Sequence, residues 1–299
     1  MILLFGSNGQ LGHELVRAAA PLHAIAVHAL SRGEVDIADR AAIAAAFIRW
    51  KPAVVVNAAA YTNVDQAETQ VDEARRANEI GPAVIASACA DAQIAMVHIS
   101  TDYVFDGTKR GAYLETDAVC PINVYGRTKA AGEDAVRHAL RSHVILRTAW
   151  VYSEFGHNFL KTVLRLAATR DDLRIVADQY GSPTSARDIA NAILRIAPRL
   201  MRHEQVWGTY HFTSDGVTNW YEFANRIVAA QGAFTGHNPR VTPIKSADYR
   251  TAARRPANSQ LDCRLFARQF GFSGRPWTED VDSTTIALVA ASQQAVHVA

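Results

Sequence analysis

The chain contains few cysteines, and they form no pattern that would build a disulfide framework or a zinc site. Cys89, Cys120 and Cys263 are an odd number of widely scattered residues, without a C-x-x-C pair among them. Small secreted domains depend on dense, paired cysteines, whereas structural zinc sites need closely spaced ones. The three cysteines therefore indicate a reducing compartment, and we expect a cytoplasmic protein.

Long apolar runs and an excess of one charge are also missing. No stretch approaches the roughly 18 apolar residues of a membrane helix. Because the first predicted strand begins at Met1 or Ile2, we expect no signal peptide. The net charge of +2 gives no reason to expect nucleic acid or an anionic membrane as a partner. With 299 residues, 49% of them hydrophobic and 20% charged, the chain suits one large or two modest globular domains.

A glycine-rich turn follows the first predicted strand directly. The apolar residues 1–5 lead into Gly6, Gly9 and Gly12, and residues 10–20 then have helical spacing. Such glycines permit a tight turn and a close approach of backbone to a pyrophosphate, which the helix N-terminus stabilises. A purely structural turn is the alternative. The strand before it and the helix after it favour a phosphate site.

A second pattern, later in the chain, indicates proton transfer. Tyr125 and Lys129 lie four residues apart on a predicted helix, so they share one face and can reach one bound molecule. The phenol can supply a proton if a cation such as the Lys129 ammonium makes its anion less costly. Thr101 ends a buried apolar run, which puts its hydroxyl at the carboxyl end of a parallel strand, where open α/β sheets bind ligands.

The alternation of strands and helices in the first half predicts the fold class. Strands are expected at residues 1–5, 24–30, 53–57, 94–100 and 144–147, and helices between them imply right-handed crossovers and a parallel sheet. We predict an α/β protein with a Rossmann-type doubly wound parallel sheet. Residues 1–150 would form the nucleotide-binding domain. Residues 151–299 would form mainly a smaller, interleaved C-terminal substrate-binding lobe, with some segments returning to the Rossmann domain.

Two local features sharpen this prediction. Asp39 precedes an alanine-rich helix and can cap it, because its carboxylate accepts hydrogen bonds from free backbone amides. A long helix over residues 72–92 is expected to be interrupted or bent at Gly81 and Pro82, because proline lacks a backbone donor and clashes with the preceding turn.

Together these patterns resemble the extended short-chain dehydrogenase/reductase family, and within it the enzymes that reduce a ketone on a nucleotide-linked sugar. The likeness extends over roughly the whole chain. Besides the glycine turn and the segment from Ser100 to Phe105, it rests on residues 56–65, 123–129, 147–152, 178–184 and 253–259.

The resemblance implies a nicotinamide cofactor, with NADPH as the first choice and NADH also possible. An acidic residue about 20 positions beyond the glycines would favour NAD, but no carboxylate follows the second strand before Glu34. Ser31 can donate a hydrogen bond, and Arg32 can clamp a 2′-phosphate. The positions matching cofactor-binding residues of the family are Gly6, Asn8, Gly9, Gln10, Leu11, Gly12, Ser31, Arg32, Asp36, Ile37, Ala58, Ala59, Ala60, Tyr61, Tyr125 and Lys129.

The resemblance also implies the substrate, a nucleotide-linked 4-keto-6-deoxy sugar whose C4 ketone is reduced. Tyr125 would donate the proton, Thr101 would hydrogen-bond the same oxygen, and Lys129 would favour the phenolate. An apolar wall from Trp150 and a grip on the diphosphate by Arg255 would complete the pocket. The predicted substrate-binding residues are Thr101, Asp102, Tyr103, Trp150 and Arg255.

Some family members pair through magnesium held by glutamates. Glu14 matches one such position, but Arg187 followed by Asp188 stands where a second glutamate would lie. We therefore predict no metal site. Magnesium and a homodimer remain open.

Two other functions remain open. A sugar-nucleotide epimerase or another keto-sugar reductase would keep Tyr125 and Lys129 but differ in its pocket. A non-catalytic, cofactor-binding regulatory subunit, similar to the beta subunit of methionine adenosyltransferase, is the alternative from another class. A sugar-nucleotide 4,6-dehydratase is disfavoured, because that enzyme needs Glu where this chain has Tyr103.

Overall fold

Twelve strands are present in the computed structural model of the protein, which describes residues 1–22 and 25–298. They are β1 (Ile2–Phe5), β2 (Val27–Leu30), β3 (Val54–Asn57), β4 (Ala95–Thr101), β5 (His143–Thr148), β6 (Val151–Tyr152), β7 (Asp172–Val176), β8 (Tyr180–Gly181), β9 (Thr184–Ser185), β10 (Gly208–His211), β11 (Thr218–Asn219) and β12 (Arg240–Ile244). Six of them form one parallel sheet in the order β10-β5-β4-β3-β1-β2. The strand order reverses between β1 and β3, which confirms the predicted doubly wound α/β fold.

Helices cover both faces of this sheet. They are α1 (Gln10–Ala19), α2 (Arg40–Trp50), α3 (Val64–Ala67), α4 (Val71–Arg75), α5 (Gly81–Asp91), α6 (Val124–Ala139), α7 (Phe159–Ala167), α8 (Ala186–Met201), α9 (Trp220–Thr235), α10 (Arg264–Phe270) and α11 (Trp277–Val298). The apolar sides of α1 and α8 form one core with the sheet, whereas α2, α5 and α6 pack against its other face. Sheets buried on both faces need continuous apolar strands, and β1 and β3 are buried along their whole length. No helix in the described part of the chain combines the length and the apolar character that crossing a membrane requires.

The chain after β5 builds a second, smaller core and also returns to the sheet. Helices α7, α9 and α11 enclose this core together with β7, which pairs with β12. Helix α8 packs on α1, and β10 extends the central sheet beside β5. The division at residue 150 into a nucleotide-binding domain and a substrate-binding lobe stays a prediction.

Two expected local features have different outcomes. Asp39 caps α2 as predicted, since its Oδ1 accepts hydrogen bonds from the amides of Ala41 and Ala42 at 2.8 and 3.1 Å. The expected interruption or bend at Gly81 and Pro82 is displaced, because a π-helical turn interrupts the α-helix just before Gly81, where α5 begins.

The distortion lies one turn earlier than expected. Arg76–Ile80 forms a π-helical turn, and Pro82 then stands in the first turn of α5, where its missing amide is harmless. The second predicted strand is shorter than expected, beginning at Val27, and Ala24 lies outside the described residues.

Candidate active site

The glycine-rich turn after β1 packs too tightly for side chains. Gly6 has a left-handed backbone with φ of +95°, and a Cβ there would lie 2.6 Å from the amide nitrogen of Ala59. A Cβ at Gly12 would lie 2.2 Å from the carbonyl oxygen of Gly6. Helix α1 begins after Gly9 with no side-chain cap and no acidic residue in its first turn. The first amides of α1 can therefore bind an anion, and this turn fits a cofactor diphosphate.

The other predicted residues of this turn divide into exposed and buried groups. Asn8 and Gly9 are exposed at the tip, whereas Leu11 is buried in the core and can offer a ligand only its backbone. The Gln10 side chain accepts a hydrogen bond from Asn158 at 2.9 Å and donates to the carbonyl oxygen of Val151 at 3.4 Å. Gln10 thus ties the turn to the chain that follows β5.

A short turn after β2 contains the predicted 2′-phosphate residues. The amide and the hydroxyl of Ser31 both donate to Glu34 Oε2, at 2.8 and 2.7 Å. Arg32 is exposed beside them. The donors of Ser31 are therefore held by a carboxylate of the protein itself.

Asp36 and Ile37, the predicted adenine-edge pair, are anchored to the helical segment before α5. The amide of Ala38 donates to Asp36 Oδ1, and Arg76 donates to Asp36 Oδ2, each at 2.9 Å. These two contacts, the backbone hydrogen bond first, lower the pKa of Asp36. Ile37 is buried against Gly81, where a Cβ would lie only 2.4 Å from its Cδ1.

The small residues Ala58, Ala59 and Ala60 follow β3 beside the glycine turn, and a buried asparagine fixes the end of that segment. Asn78 Oδ1 accepts from the amide of Tyr61 at 2.8 Å, and Asn78 Nδ2 donates to the Tyr61 carbonyl at 3.0 Å. Asn78 Nδ2 also lies 3.1 Å from Thr128 Oγ1. We did not predict Asn78 from the sequence, because its position depends on the π-helical turn.

The start of α6 is positioned by two polar side chains. Asn123 Oδ1 accepts from the amide of Gly126 at 2.7 Å, which caps the helix, and Glu68 Oε1 accepts from the amide of Val124 at 2.8 Å. Tyr125 therefore lies in the first turn of α6. Its phenol lies near the side chain of Thr101, the last residue of β4.

Lys129 lies one turn further along α6, only 2% exposed, and its Nζ donates to the carbonyl oxygen of Ile99 at 2.6 Å. Burial lowers the pKa of Lys129 to about 8, although the nearby Glu133 carboxylate opposes this shift. Burial raises the pKa of Tyr125 to about 12, although the nearby Thr101 hydroxyl opposes this shift. At neutral pH the site therefore holds a neutral phenol and, one helical turn along α6, a mostly protonated ammonium.

Asp102 and Tyr103 continue from Thr101 into the same site. The Thr101 hydroxyl donates to Asp102 Oδ1 at 2.9 Å, and the Tyr103 ring meets the Tyr125 ring edge-on, with 5.9 Å between centroids. Burial raises the pKa of Asp102 to about 6, although the nearby Ser259 and Thr101 hydroxyls oppose this shift. Within the described chain, Asp102 Oδ2 is buried without a partner, so it can still accept a hydrogen bond from a ligand.

Trp150 follows β5 and lies flat against another tryptophan. Its ring stacks on Trp220, with 3.5 Å between centroids and 7° between planes. Its backbone is left-handed, with φ of +48°, and a Cβ at Gly181 would lie 2.5 Å from its ring. The sequence offered no sign of Trp220, whose contact with Trp150 depends on the tertiary fold.

The predicted diphosphate residue, Arg255, is engaged with an acidic side chain. Its guanidinium donates to both carboxylate oxygens of Asp65, at 3.1 and 2.7 Å. The carbonyl oxygen of the neighbouring Arg254 accepts from Asn123 Nδ2 at 2.8 Å. The segment after β12 is thus tied both to the start of α6 and to the chain after β3.

The residues around Glu14 do not fit a magnesium ion. Arg17 lies 2.7 Å from the buried Glu14 carboxylate, and Arg187 donates to Glu154 at 3.0 Å. The same oxygen of Glu154 accepts from Arg17 at 3.1 Å. Two guanidinium groups therefore supply the positive charge here, and residues 1–22 and 25–298 contain no cluster of three candidate metal ligands.

Known proteins resemble this chain in both sequence and fold. The family model described as the RmlD substrate binding domain matches residues 1–289. A dTDP-4-dehydrorhamnose reductase of Aggregatibacter actinomycetemcomitans is 42% identical over 92% of this chain and 95% of its own. A crystal structure of a dTDP-4-dehydrorhamnose reductase from Clostridium acetobutylicum is 37% identical, with a TM-score of 0.89 over 96% of this chain and 99% of its own. One from Bacillus anthracis, in complex with NADP, is 33% identical, with a TM-score of 0.86 over 96% and 98% of the two chains.

Proposed function

The chain belongs to the dTDP-4-dehydrorhamnose reductase family, whose RmlD substrate binding domain it matches, and from this premise we propose that it reduces dTDP-4-dehydro-L-rhamnose to dTDP-L-rhamnose with NADPH. The observation that carries the proposal is the placement of Tyr125 and Lys129 one turn apart on α6, with Thr101 at the end of β4 near the Tyr125 phenol. These groups lie at the edge of the sheet where the glycine turn follows β1. A proton donor and a diphosphate cradle at one edge suit a nicotinamide-dependent ketone reduction.

The cofactor would lie along the chain segments at the carboxyl ends of β1, β2 and β3. The amides of the glycine turn and of α1 would hold its diphosphate, Ser31 and Arg32 its 2′-phosphate, and Asp36 with Ile37 its adenine edge. Residues 58–61, together with Tyr125 and Lys129, would hold the nicotinamide and its ribose. When bound, NADPH supplies the hydride for carbon C4 of the sugar.

The residues of this chain stabilise the negative charge that develops on the ketone oxygen. The Tyr125 phenol donates its proton to that oxygen, and Thr101 offers a hydrogen bond to it. Removal of the proton leaves a phenolate, which the Lys129 ammonium stabilises. Lys129 is held in reach by its hydrogen bond to Ile99.

Substrate binding requires groups beyond this trio. Trp150, fixed by its stack on Trp220, would cover the apolar C5–C6 side of a 6-deoxy sugar. The unpartnered oxygen of Asp102 would accept a sugar hydroxyl, with Tyr103 beside it. Arg255 would reach the diphosphate by exchanging its contact with Asp65, since phosphate oxygens accept the same paired donors.

A coupled assay tests the reaction. The unstable substrate would be generated in place from dTDP-glucose by a 4,6-dehydratase and a 3,5-epimerase, and NADPH oxidation would be followed. Oxidation should require both upstream enzymes. Equal reduction of the dehydratase product alone would contradict the rhamnose assignment, whereas no oxidation with any 4-keto sugar nucleotide would favour the regulatory-subunit alternative.

The pH dependence of reduction should follow Lys129. Because the folded pKa of Lys129 is lowered to about 8, the ammonium is lost as the pH rises through that value. Tyr125, with a pKa of about 12, keeps its proton in the same range. We therefore expect kcat/KM for NADPH-dependent reduction to fall above about pH 8, approaching tenfold per pH unit. A profile that stays level to about pH 10 would be inconsistent with this role of Lys129.

Two further properties belong to the proposal. We propose a cytoplasmic location, because all three cysteines are free thiols, which suits a reducing compartment.

We also propose that the protein can form a homodimer without magnesium, since arginines already neutralise Glu14 and Glu154. Light scattering with and without a chelator measures this, and a dimer lost on chelation would contradict it.

A further inference from the structure

The turn after β2 brings a negative charge to the place where the cofactor's 2′ substituent is expected. The amides of Glu34 and Val35 donate to the carbonyl oxygen of Ser31 at 3.1 and 3.0 Å, which closes the turn. In this turn the Glu34 side chain points back toward Ser31. Its Oε2 accepts hydrogen bonds from both the amide and the hydroxyl of Ser31. One carboxylate oxygen thus occupies two donors at the carboxyl end of β2.

These two donors are suited to a different acceptor as well. In Rossmann-type sheets the end of the second strand faces the adenosine ribose, where a carboxylate accepts the 2′-hydroxyl of NADH and an arginine accommodates the 2′-phosphate of NADPH. A phosphate oxygen would use the Ser31 amide and hydroxyl as Glu34 does now. The turn contains one group of each type, Glu34 and the exposed Arg32.

We propose that Glu34 determines cofactor selectivity, because its carboxylate competes with the 2′-phosphate of NADPH for Ser31 and accepts the 2′-hydroxyl of NADH. The inference rests on the proposed function. Glu34 is exposed, so its side chain can leave Ser31 and turn into solvent when NADPH binds. With NADH it stays in place, which makes Glu34 and Arg32 opposing selectors that allow both cofactors to bind.

The charge state of Glu34 supports this competition. The hydrogen bonds from the Ser31 amide and hydroxyl lower its pKa, so the side chain is an anion at neutral pH. Arg76, the neighbouring cation on the π-helical turn, is paired with Asp36 at 2.9 Å rather than with Glu34. The like charges of Glu34 and a 2′-phosphate bound at Ser31 would therefore repel each other.

Titration of NADPH and NADH against purified protein tests the proposal without requiring turnover. Glu34→Gln keeps the size of the side chain and removes its charge. We expect its NADPH affinity to rise and its NADH affinity to fall, so that the ratio of the two dissociation constants changes by about tenfold or more. Arg32→Ala should change the ratio in the opposite direction, by weakening NADPH selectively.

Glu204→Gln is the matched control. Its carboxylate is also held by hydrogen bonds, from Arg199 and Arg202, and the substitution makes the same change in net charge. This control should leave both affinities as in the wild type. If the wild type bound both cofactors and Glu34→Gln left the ratio of the two dissociation constants unchanged, the role of Glu34 would be overturned but the proposed function would stand. If the wild type bound neither cofactor, the proposed function would fail with it.

Discussion

Replacing Tyr125 with phenylalanine should lower the turnover of NADPH-dependent reduction by about 10²-fold or more. The substitution removes only the hydroxyl, while the ring can keep its edge-on contact with Tyr103. Without the phenol, no positioned group donates a proton to the ketone oxygen, and Thr101 can only hydrogen-bond it. Cofactor affinity should stay near that of the wild type, because Lys129 and the glycine turn are unchanged.

Single-turnover kinetics and cofactor titration measure the two effects separately. Tyr210→Phe is a suitable control, because it also removes a buried phenol. Tyr210 lies on β10, and its phenol donates to the carbonyl oxygen of Val206 at 3.0 Å. That variant should reduce substrate at the wild-type rate. If Tyr125→Phe turned over as fast as the control, Tyr125 could not be the proton donor.

Replacing Arg147 with methionine should lower the free energy of unfolding by about 3–5 kcal/mol. Arg147 is only 2% exposed, and its guanidinium donates to both oxygens of the fully buried Glu133, at 2.9 and 2.6 Å. These contacts, together with Arg137, keep the pKa of Glu133 below its usual value despite its burial. Removing Arg147 deprives this interior carboxylate of its two-pronged partner and leaves the partly exposed Arg137 and the nearby Lys129 ammonium to offset its charge.

Chemical denaturation provides the measurement, and an exposed pair provides the comparison. Arg226 and Asp282 form a similar two-pronged ion pair that remains 43% and 37% exposed. Arg226→Met should therefore cost less than about 1 kcal/mol. Combining Glu133→Gln with Arg147→Met should recover part of the loss, because a neutral amide then replaces the unpaired carboxylate. If Arg147→Met and Arg226→Met lowered the free energy of unfolding equally, Glu133 would not be left as an uncompensated buried charge.

The residues of the proposed chemical centre could be selected from the sequence because their signals are local. Tyr125 and Lys129 are one helical turn apart, Thr101 ends an apolar strand, and three glycines mark a strand-to-helix turn. Strand and helix patterns of this kind depend on the chain's own periodicity. The doubly wound sheet follows from the same patterns, since parallel strands joined by helices have few possible arrangements.

The remaining features of the site depend on contacts between residues that are far apart in the sequence. Arg255 is paired with Asp65, 190 residues away, and Trp150 stacks on Trp220, which no spacing rule connects. Even the three-residue separation of Ser31 and Glu34 did not indicate their hydrogen bonds. The same sequence is compatible with a carboxylate that points into solvent and with one that turns back to the chain. The interruption of the helix before Gly81 was expected at the proline, whereas it takes the form of a π-helical turn that ends before Pro82.

The π-helical turn also limits how the chain can change in length. A π turn carries more residues than an α turn, so deleting one residue within Arg76–Ile80 would restore ordinary α-helical winding. The Asn78 side chain would then rotate by about 100° away from the backbone of Tyr61 and from Thr128. The proposed cofactor-binding segment and the helix of the proposed proton donor would lose their common anchor without any change in a proposed site residue. Among natural variants, insertions and deletions should therefore be tolerated in the exposed loops but excluded from this single turn.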